Sequence, residues 1–559
     1  METMKKSCSS CGKTFEITDE DLRLLKKISP KIGDKTFHIS EPKLCPACRR
    51  QRRLVWRNER RLYHRKCSKT GKQIISIYSP DKELPVFGSE IWWSDGWDPL
   101  EHGRAYDYDR SFFDQFKALQ KKVPRIGLSA KNNENSDYTN HAHHLKNCYL
   151  LFTAVSCEDC YYGDWIIESR NCMDCSHITR CERCYELAYC TDCVNCAHLS
   201  ECDQCSDSWF LYDCRSCRNC LYCWNLRQKE YHIQNRPVSK KEFEEALVSL
   251  RSHKTLEHAK AAFSEMRRTE ALHPSQRAVS CQDSTGDHLI ECKDVRSCFD
   301  LHRGRDVAYT CDAIGLTDSL DCNFTAFDCE QNYEVHACDG SKRTCFTTSS
   351  YDNDRLLYCD LCHNSSDLFG CIGLKRKKYC ILNKQYSKEE YEELVPKIIS
   401  QMQRDLSFGE FFPVTISPFA YNETISADEF PLTKKECVSR GWSWHQEKEE
   451  GQSYLGPTVD LPDSAAEITE SIVQQILKCE ASGQPYKIIP QELKFYRGMQ
   501  IPLPRKCPDQ RHMERMSLRN PRKLWDRACD DCHKPISTSY SPDRPEKVVC
   551  ESCYLNTIY

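Results

Sequence analysis

Two pairs of closely spaced cysteines stand near the start of this 559-residue chain. Cys8 and Cys11 form one CxxC pair, and Cys45 and Cys48 form another after 33 intervening residues. Structural zinc sites hold the ion between four thiolates at the corners of a tetrahedron, and two CxxC turns supply that ligand set. The spacing therefore predicts a zinc ribbon at the N-terminus.

A second complete ligand set lies at the C-terminus, formed by Cys529, Cys532, Cys550 and Cys553. The chain around it, from Arg519 to Asp543, is echoed by the segment from Arg57 to Asp81. In that earlier copy only Cys67 survives, because Thr70, Gly88 and Ile91 stand at the other three ligand positions. We expect this copy to hold no metal.

The reverse situation occurs just before the C-terminal set. Cys479 and Cys507 align with the first cysteine of each N-terminal pair, whereas Ser482 and Gln510 replace the other two ligands. The sequence therefore predicts a duplicated pair of ribbons. Each end would have one structural zinc site and one degenerate ribbon that folds by packing alone.

A strongly basic segment follows the N-terminal ribbon, from Arg49 to Lys66, with Glu59 as its single acid. Arginine binds phosphate in a bidentate manner, and each neutralised phosphate releases counterions. A basic helix that binds RNA or a ribonucleoprotein is one interpretation, and pairing with acidic groups of the same chain is the other. The candidate nucleic-acid contacts are Arg49, Arg50, Arg52, Arg53, Arg57, Arg60 and Arg61.

The middle of the chain repeats every twelve residues. Between Leu145 and Leu226 lie sixteen of the forty cysteines, and every third residue is small or apolar. Strands alternate with period 2 and helices with period 3.6, so neither alone explains a period of three that closes at twelve. We predict a β-solenoid of short coils stacked about 4.8 Å apart. One column of cysteines contains Cys148, Cys160, Cys172, Cys184, Cys196 and Cys220, with Ser208 in its vacant place.

Three chemistries are open to these stacked cysteines. Reduced thiols can fill the core, because a buried cysteine behaves as a small hydrophobe. A grid of four sulfurs could instead bind zinc or, less favoured, an iron–sulfur cluster. Disulfides are a third possibility, although they require an oxidising compartment. The candidate grid consists of Cys181, Cys184, Cys193 and Cys196.

The segment that begins at Cys223 is repeated at Cys371, so the solenoid is duplicated. We therefore expect a mainly β, multidomain protein, with zinc ribbons at both ends flanking two Cys-rich β-solenoids and intervening helices. The predicted order is a zinc ribbon with a basic helix (1–66), a degenerate ribbon (67–110), a helix and polar linker (111–146), the first solenoid (147–235), a helical segment (236–276), the second solenoid (277–385), a helix, connector and linker (386–463), a degenerate ribbon with a basic segment (464–518) and the C-terminal ribbon (519–559).

Composition narrows the functional classes. A net charge of −3 provides no global attraction for nucleic acid, and a mean hydropathy of −0.68 without a long apolar run predicts no membrane span. The start of the chain lacks an apolar leader, so we expect a cytoplasmic protein, in which cysteines are metal ligands or buried thiols. Nucleotide-binding and hydrolase motifs are missing, and no catalytic residue is assigned.

Phrases of this sequence resemble a known family. The ribbon Cys8-Ser-Ser-Cys11-Gly-Lys-Thr-Phe with Cys45-Pro-Ala-Cys48-Arg is similar to a small bacterial zinc-ribbon domain. The whole chain resembles long Cys-rich zinc-ribbon proteins of candidate-phylum bacteria, which share Tyr78-Ser-Pro-Asp81 and Trp92-Trp-Ser-Asp95. Members are sometimes labelled CaiB/BaiF-type CoA-transferases, but no α/β pattern or nucleophilic aspartate motif supports that activity here. The sequence favours a non-catalytic zinc-binding scaffold or interaction protein, with a redox or metal-handling protein as the alternative.

Overall fold

A computed structural model describes residues 3–446 and 459–559, and the part of the predicted polar linker between them lies outside the described residues. Strands predominate in these ranges, and twelve helices lie between and around them. The protein is thus mainly β, as its sequence predicts.

The N-terminal part of the chain, up to Ile126, combines short strands with four helices. Its elements in order are β1 (Thr3–Ser7), β2 (Thr14–Thr18), α1 (Asp19–Ile28), β3 (Lys31–Ile32), β4 (Lys35–Thr36), α2 (Pro46–Leu54), β5 (Tyr63–Lys66), β6 (Gln73–Ser76), β7 (Val86–Phe87), α3 (Ser89–Trp93), α4 (Phe112–Gln120) and β8 (Arg125–Ile126). The basic helix therefore ends at Leu54, and the last residues of the basic segment form a strand.

The next region, which we call the first stack, contains thirteen strands in one sheet. They are β9 (Ala130–Lys131), β10 (Thr139–His143), β11 (Tyr149–Val155), β12 (Tyr161–Ile167), β13 (Arg170–Met173), β14 (Ser176–Thr179), β15 (Glu182–Tyr185), β16 (Ala188–Thr191), β17 (Ala197–Ser200), β18 (Trp209–Tyr212), β19 (Arg218–Trp224), β20 (Glu230–Ile233) and β21 (Arg236–Pro237).

A second stack of twelve strands follows α5 (Lys240–Ser249), α6 (His253–Thr269) and β22 (Leu272–Pro274). Its strands are β23 (Ala278–Val279), β24 (Gly286–Ile290), β25 (Lys293–Arg296), β26 (Cys298–Ala308), β27 (Cys311–Thr325), β28 (Cys329–Glu330), β29 (Tyr333–His336), β30 (Cys345–Thr348), β31 (Asp354–Leu357), β32 (Ser366–Phe369), β33 (Lys378–Ile381) and β34 (Lys384–Gln385).

The C-terminal part returns to helices and short strands. Its elements are α7 (Lys388–Arg404), α8 (Ile425–Glu429), α9 (Lys434–Ser439), β35 (Leu477–Lys478), β36 (Pro485–Tyr486), α10 (Pro490–Met499), α11 (Pro508–Ser517), β37 (Trp525–Ala528), β38 (Pro535–Thr538), β39 (Lys547–Val549) and α12 (Glu551–Ile558). Helices α5 and α7 each begin with a capping box, at Ser239 and Ser387.

The strands of both stacks run parallel, except that β21 and β34 each pair antiparallel with the strand before them. Almost every parallel pairing joins a residue to the one twelve positions later. Cys172 pairs with Cys184 in the first stack, and Leu368 pairs with Cys380 in the second. Like residues of successive turns therefore lie above one another. The second stack departs from this step where Leu320 pairs with Tyr333, thirteen positions on.

The first stack begins earlier than the boundary predicted at residue 147. Strand β10 already pairs in parallel with β11, and β9 pairs with β10. The polar residues that suggested a linker take left-handed backbone angles there, as at Asn135 and His141. Asparagine and histidine suit this conformation, so their polarity marked turns of the stack.

The repeating backbone explains the period of three. From His141 to Gln234, every third residue has a positive φ near 50°. This left-handed conformation is unfavourable for residues other than glycine. It is stabilised here by hydrogen bonds between turns, because the turn residue donates its N–H to the preceding turn, as from Asn147 to the carbonyl of Glu134 at 2.9 Å.

The interior of each stack is filled by cysteine and aliphatic side chains. In the first stack, Cys184, Cys193 and Leu199 are almost completely buried. The exteriors pack against the two ends of the chain in a crossed arrangement. The N-terminal helices α1 and α4 pack on the second stack, whereas α10 and its neighbours pack on the first.

Removing one apolar side chain from the interior should destabilise the fold. Leu199→Ala should lower the free energy of unfolding by about 2–5 kcal/mol, because it leaves a cavity that the paired strands cannot close. Urea denaturation would measure the change. Val194→Ala, at a position that is 43% exposed, is the control and should change it by less than about 0.5 kcal/mol. Equal effects of the two variants would contradict the interior position of Leu199.

Candidate functional site

The four ribbon turns share one backbone geometry, whether or not they keep their cysteines. In the first, the N–H of Cys8 donates to the carbonyl of Lys13 and the N–H of Gly12 donates to that of Cys8, both at 2.9 Å. The same two bonds recur at the other three turns, which begin at Cys67, Cys479 and Cys529. The fourth residue after each of these cysteines has a positive φ.

The second half of each ribbon is also shared. Cys45, Cys507 and Cys550 each precede the first residue of a helix with extended backbone angles. Gly88 occupies this place before α3, in the ribbon that retains only Cys67. The same backbone geometry is therefore present whether four, two or one of these positions are cysteines.

The N-terminal cluster brings four sulfurs together. One Sγ atom from each of Cys8, Cys11, Cys45 and Cys48 lies within 4.8 Å of the others. The sulfurs of Cys11 and Cys45 are 3.8 Å apart, and the N–H of Cys45 lies 3.3 Å from the sulfur of Cys8. Ligands at the usual Zn–S distance of about 2.3 Å would be about 3.8 Å apart in a tetrahedron. The cluster therefore fits a four-coordinate metal ion.

The C-terminal cluster has the same form. The sulfurs of Cys529, Cys532, Cys550 and Cys553 lie within 4.8 Å of one another, and those of Cys532 and Cys550 are 3.6 Å apart. Hydrogen bonds from the Ser552 hydroxyl and from the N–H of Cys553 lower the pKa of Cys550 to about 6. A thiolate is the form that binds metal.

The degenerate ribbons replace these clusters by packing. Cys67 is buried beside Phe87 and Trp92. In the other degenerate ribbon the Ser482 hydroxyl lies 3.7 Å from the sulfur of Cys507, where a ligand would otherwise stand. Neither place is among the metal-compatible groups found in the described residues.

The predicted grid inside the first stack is arranged differently. Cys181, Cys184, Cys193 and Cys196 do not form a group with all ligand atoms within 4.8 Å in the described part of the chain. Their thiols face backbone carbonyls, as where the sulfur of Cys184 lies 3.3 Å from the oxygen of Glu182 and 3.4 Å from that of Cys193. No disulfide joins any of the forty cysteines, all of which lie in the described residues. Contacts of this kind are compatible with thiols packed in the interior of the stack.

The arginines of α2 face the second stack. Arg49 donates to Asp321 at 2.7 Å, and Arg53 donates to the same carboxylate at 3.2 Å. Arg52 donates to Glu334 and to Glu410, both at 2.7 Å. Each of these guanidinium groups is buried or nearly so.

The rest of the predicted nucleic-acid surface is also engaged within the chain. Arg50 is paired with Glu429, and Arg57 donates to Glu59 and to Thr153 at 2.8 Å. Arg60 lies 4.7 Å from the ring centre of Phe152, and Arg61 is the one member whose side chain is about half exposed. Pairing with acidic groups of the same chain, the second interpretation of this segment, accounts for five of the seven arginines, namely Arg49, Arg50, Arg52, Arg53 and Arg57. RNA binding itself stays a prediction.

Helix α11 repeats this contact on the first stack. Arg511 and Arg515 follow Cys507 at the same spacing at which Arg49 and Arg53 follow Cys45. Both pair with Asp174, at 3.1 and 2.8 Å. Asp174 lies 147 positions before Asp321, and both residues have left-handed backbone angles. The two halves of the molecule are thus joined by equivalent buried ion pairs.

A third group of possible metal ligands was missed from the sequence. His177 of the first stack meets Asp300 and Asp312 of the second, with one ligand atom of each within 4.8 Å of the others. The histidine and the aspartates are more than a hundred positions apart. The only signal in the sequence was the twelve-residue spacing of the two aspartates, which places them in one column.

The helices of the described ranges are all too short or too polar to cross a membrane.

Comparison with known proteins does not identify a family. No family model matches the chain, and no curated protein matches it. Among solved structures, a candidate acetyltransferase from Desulfovibrio desulfuricans G20 is similar over 51% of this chain and 82% of that chain, at 8% identity and a TM-score of 0.09. A likeness this weak carries no argument about fold or function.

The buried ion pairs allow a direct test. Asp321→Asn should lower the free energy of unfolding by about 3–5 kcal/mol, because two buried arginines lose their counter-charge. Asp174→Asn should have a similar effect at the equivalent pair in the other half. Urea denaturation would measure both.

Asp306→Asn is the matched control, because Asp306 forms an exposed pair with Arg305 at 3.7 Å. Exposed ion pairs contribute only about 0–1 kcal/mol. If Asp321→Asn lowered the free energy of unfolding no more than this control does, the ion pairs of Arg49 and Arg53 with Asp321 would not stabilise the fold.

Proposed function

We propose that the protein is a non-catalytic, zinc-stabilised scaffold with one structural zinc ion near each end. The observation that carries this proposal is the pair of four-cysteine clusters, whose sulfur separations of 3.6 and 3.8 Å suit tetrahedral coordination. A set of four protein ligands leaves no open position for substrate, which is typical of structural rather than catalytic zinc.

The stacks would serve as the body of this scaffold, as two β-solenoids of 12-residue coils. Parallel pairing at a step of twelve residues over most of both stacks supports this architecture, since a strand that pairs with the next turn of the same chain advances along one axis. The thiol-to-carbonyl contacts support a structural role for the stacked cysteines, and they count against redox or metal-handling chemistry there. The cytoplasm is the compartment we propose, because it would keep these thiols reduced.

The ribbons would act as end pieces docked on the solenoids. Each metal-compatible ribbon lies next in sequence to a degenerate one, and both pairs contact a stack. Membership in the Cys-rich zinc-ribbon family of candidate-phylum bacteria is part of the same proposal. Its support is the set of ribbon phrases in the sequence.

Zinc content tests the scaffold directly. The purified full-length protein should contain about two zinc ions per chain, one for each four-cysteine cluster. Cys8→Ser and Cys529→Ser should each release about one, because three remaining thiolates hold zinc less tightly than four. Inductively coupled plasma mass spectrometry after dialysis would give the count.

Cys67→Ser is the matched control. Cys67 holds the position equivalent to Cys8 and Cys529 in a ribbon without the other three ligands, and it is buried to the same degree. This variant should retain both ions. Zinc loss from it, or full retention by Cys8→Ser and Cys529→Ser, would overturn the assignment of the sites.

The role of the stacked thiols has a separate test. Protein purified without oxygen or chelators should be colourless and free of acid-labile sulfide, because the thiols of the stacks contact backbone carbonyls. Visible absorption and sulfide analysis would show this. Brown protein with stoichiometric sulfide would instead make the cysteine columns a cluster site.

A further inference from the structure

The two stacks meet along a seam of facing side chains. Trp165 and His177 lie twelve positions apart on the first stack, and Asp300 and Asp312 lie twelve apart on the second. The imidazole of His177 is held between two rings, with centroids 5.6 Å from Trp165 and 4.6 Å from Tyr189. Its plane is therefore fixed while its nitrogens face the aspartates.

These nitrogens are buried without hydrogen-bond partners. The side chain of His177 is only 8% exposed, and neither Nδ1 nor Nε2 makes a hydrogen bond. The nearest carboxylate atoms are Oδ2 of Asp164 at 3.9 Å and Oδ1 of Asp312 at 3.8 Å. Oδ2 of Asp312, on a side chain only 2% exposed, is also unpartnered. Buried polar atoms without partners cost free energy, so a missing partner is indicated.

Arg522 orients the two aspartates without using all of their oxygens. Its guanidinium donates to Oδ2 of Asp300 at 2.8 Å and to Oδ1 of Asp312. Although burial favours the neutral form, the charge of Arg522 holds the pKa of both carboxyl groups below its ordinary value. Arg522 therefore takes one oxygen of each carboxylate. The other oxygen of Asp312, Oδ2, has no hydrogen-bond partner, and the other oxygen of Asp300, Oδ1, lies 3.9 Å from Nδ1 of His288.

Internal duplication provides a built-in comparison. The same offset of 147 that relates Asp174 to Asp321 relates Thr153 to Asp300, Trp165 to Asp312 and His177 to Phe324. Both members of each pair share a left-handed backbone angle. In the other half of the seam the equivalent place is thus filled by Thr153, Trp165 and Phe324, with the two rings 6.4 Å apart.

The comparison shows which residues the packing of the seam requires. One half of the seam is filled by a tryptophan and a phenylalanine, so packing alone does not require the histidine and two buried acids of the other half. The arginine is kept on both sides, since Arg60 is the counterpart of Arg522. Arg60 packs over the ring of Phe152 at 4.7 Å and lies 3.7 Å from Asp509, whereas Arg522 donates to both Asp300 and Asp312.

We propose that His177, Asp300 and Asp312 form a third metal site, which binds a divalent first-row transition ion between the two stacks. An imidazole nitrogen with two carboxylate oxygens suits Zn²⁺, Mn²⁺, Fe²⁺ or Co²⁺. This ligand set contains no sulfur, whereas each ribbon offers four sulfurs. Arg522 is a positioning residue, which holds the ligand carboxylates by their remaining oxygens as second-shell partners do. The ion would join the two halves of the chain at the centre of the seam.

Cobalt distinguishes this site from every thiol in the protein. Full-length protein is first dialysed until two zinc ions per chain remain, one for each ribbon. It is then titrated with Co²⁺ under reducing conditions, and visible absorption is recorded. The expected result is about one additional Co²⁺ per chain, with d–d bands and without the near-ultraviolet charge-transfer band of thiolate–cobalt bonds. No additional ion, or an ion with that sulfur band, would overturn the proposal.

The variant His177→Phe copies the residue that the chain itself uses at the equivalent position, so we expect it to fold. It should weaken Co²⁺ binding at this site at least about 100-fold, beyond the 10–100-fold that second-shell changes cause. Asp312→Asn, which keeps the side-chain shape, should also weaken Co²⁺ binding at least about 100-fold. It provides the test if His177→Phe does not fold. His258→Phe, at an exposed histidine on α6, should bind as the unaltered protein does. Undiminished binding by His177→Phe and Asp312→Asn would contradict the assignment of these ligands.

Discussion

Hydrogen bonds between successive turns of the chain are the interaction on which this structure depends. Every third residue of the first stack has a left-handed backbone angle, and most of these residues are not glycine. One such residue would be a local cost of about 1–2 kcal/mol. Because each turn bonds to the turns before and after it, the ladder stabilises all of them together, and the column of residues inside becomes a dry core.

Charge is the second organising principle, and it acts between the ends of the chain and its middle. Asp321 and Asp174 each receive two arginines from a ribbon helix. Such pairs contribute little net stability compared with apolar packing, but they penalise a wrong partner strongly. They therefore fix which ribbon docks on which stack and in what register.

Patterns within short segments of the sequence predicted the repeats and the cysteine sets, but they did not predict which distant residues contact one another. The twelve-residue period, the two complete cysteine sets and the degenerate ribbons at Cys67 and Cys479 could all be identified, because each depends on spacing within a short segment. The destination of Arg49 and Arg53 could not, since Asp321 is about 270 positions away. The grouping of His177 with the two aspartates escaped for the same reason.

The crossed docking of the two ends has a consequence for how the chain is made. Arg49 finds its carboxylate 272 positions later, and Arg515 returns to one 341 positions earlier. During synthesis the N-terminal ribbon must remain undocked until the second stack has left the ribosome. The outer face of the first stack likewise stays uncovered until α11 has been made. Contacts at such separations make assembly slow. A bound metal ion would keep the N-terminal ribbon folded during the time before it can dock on the second stack.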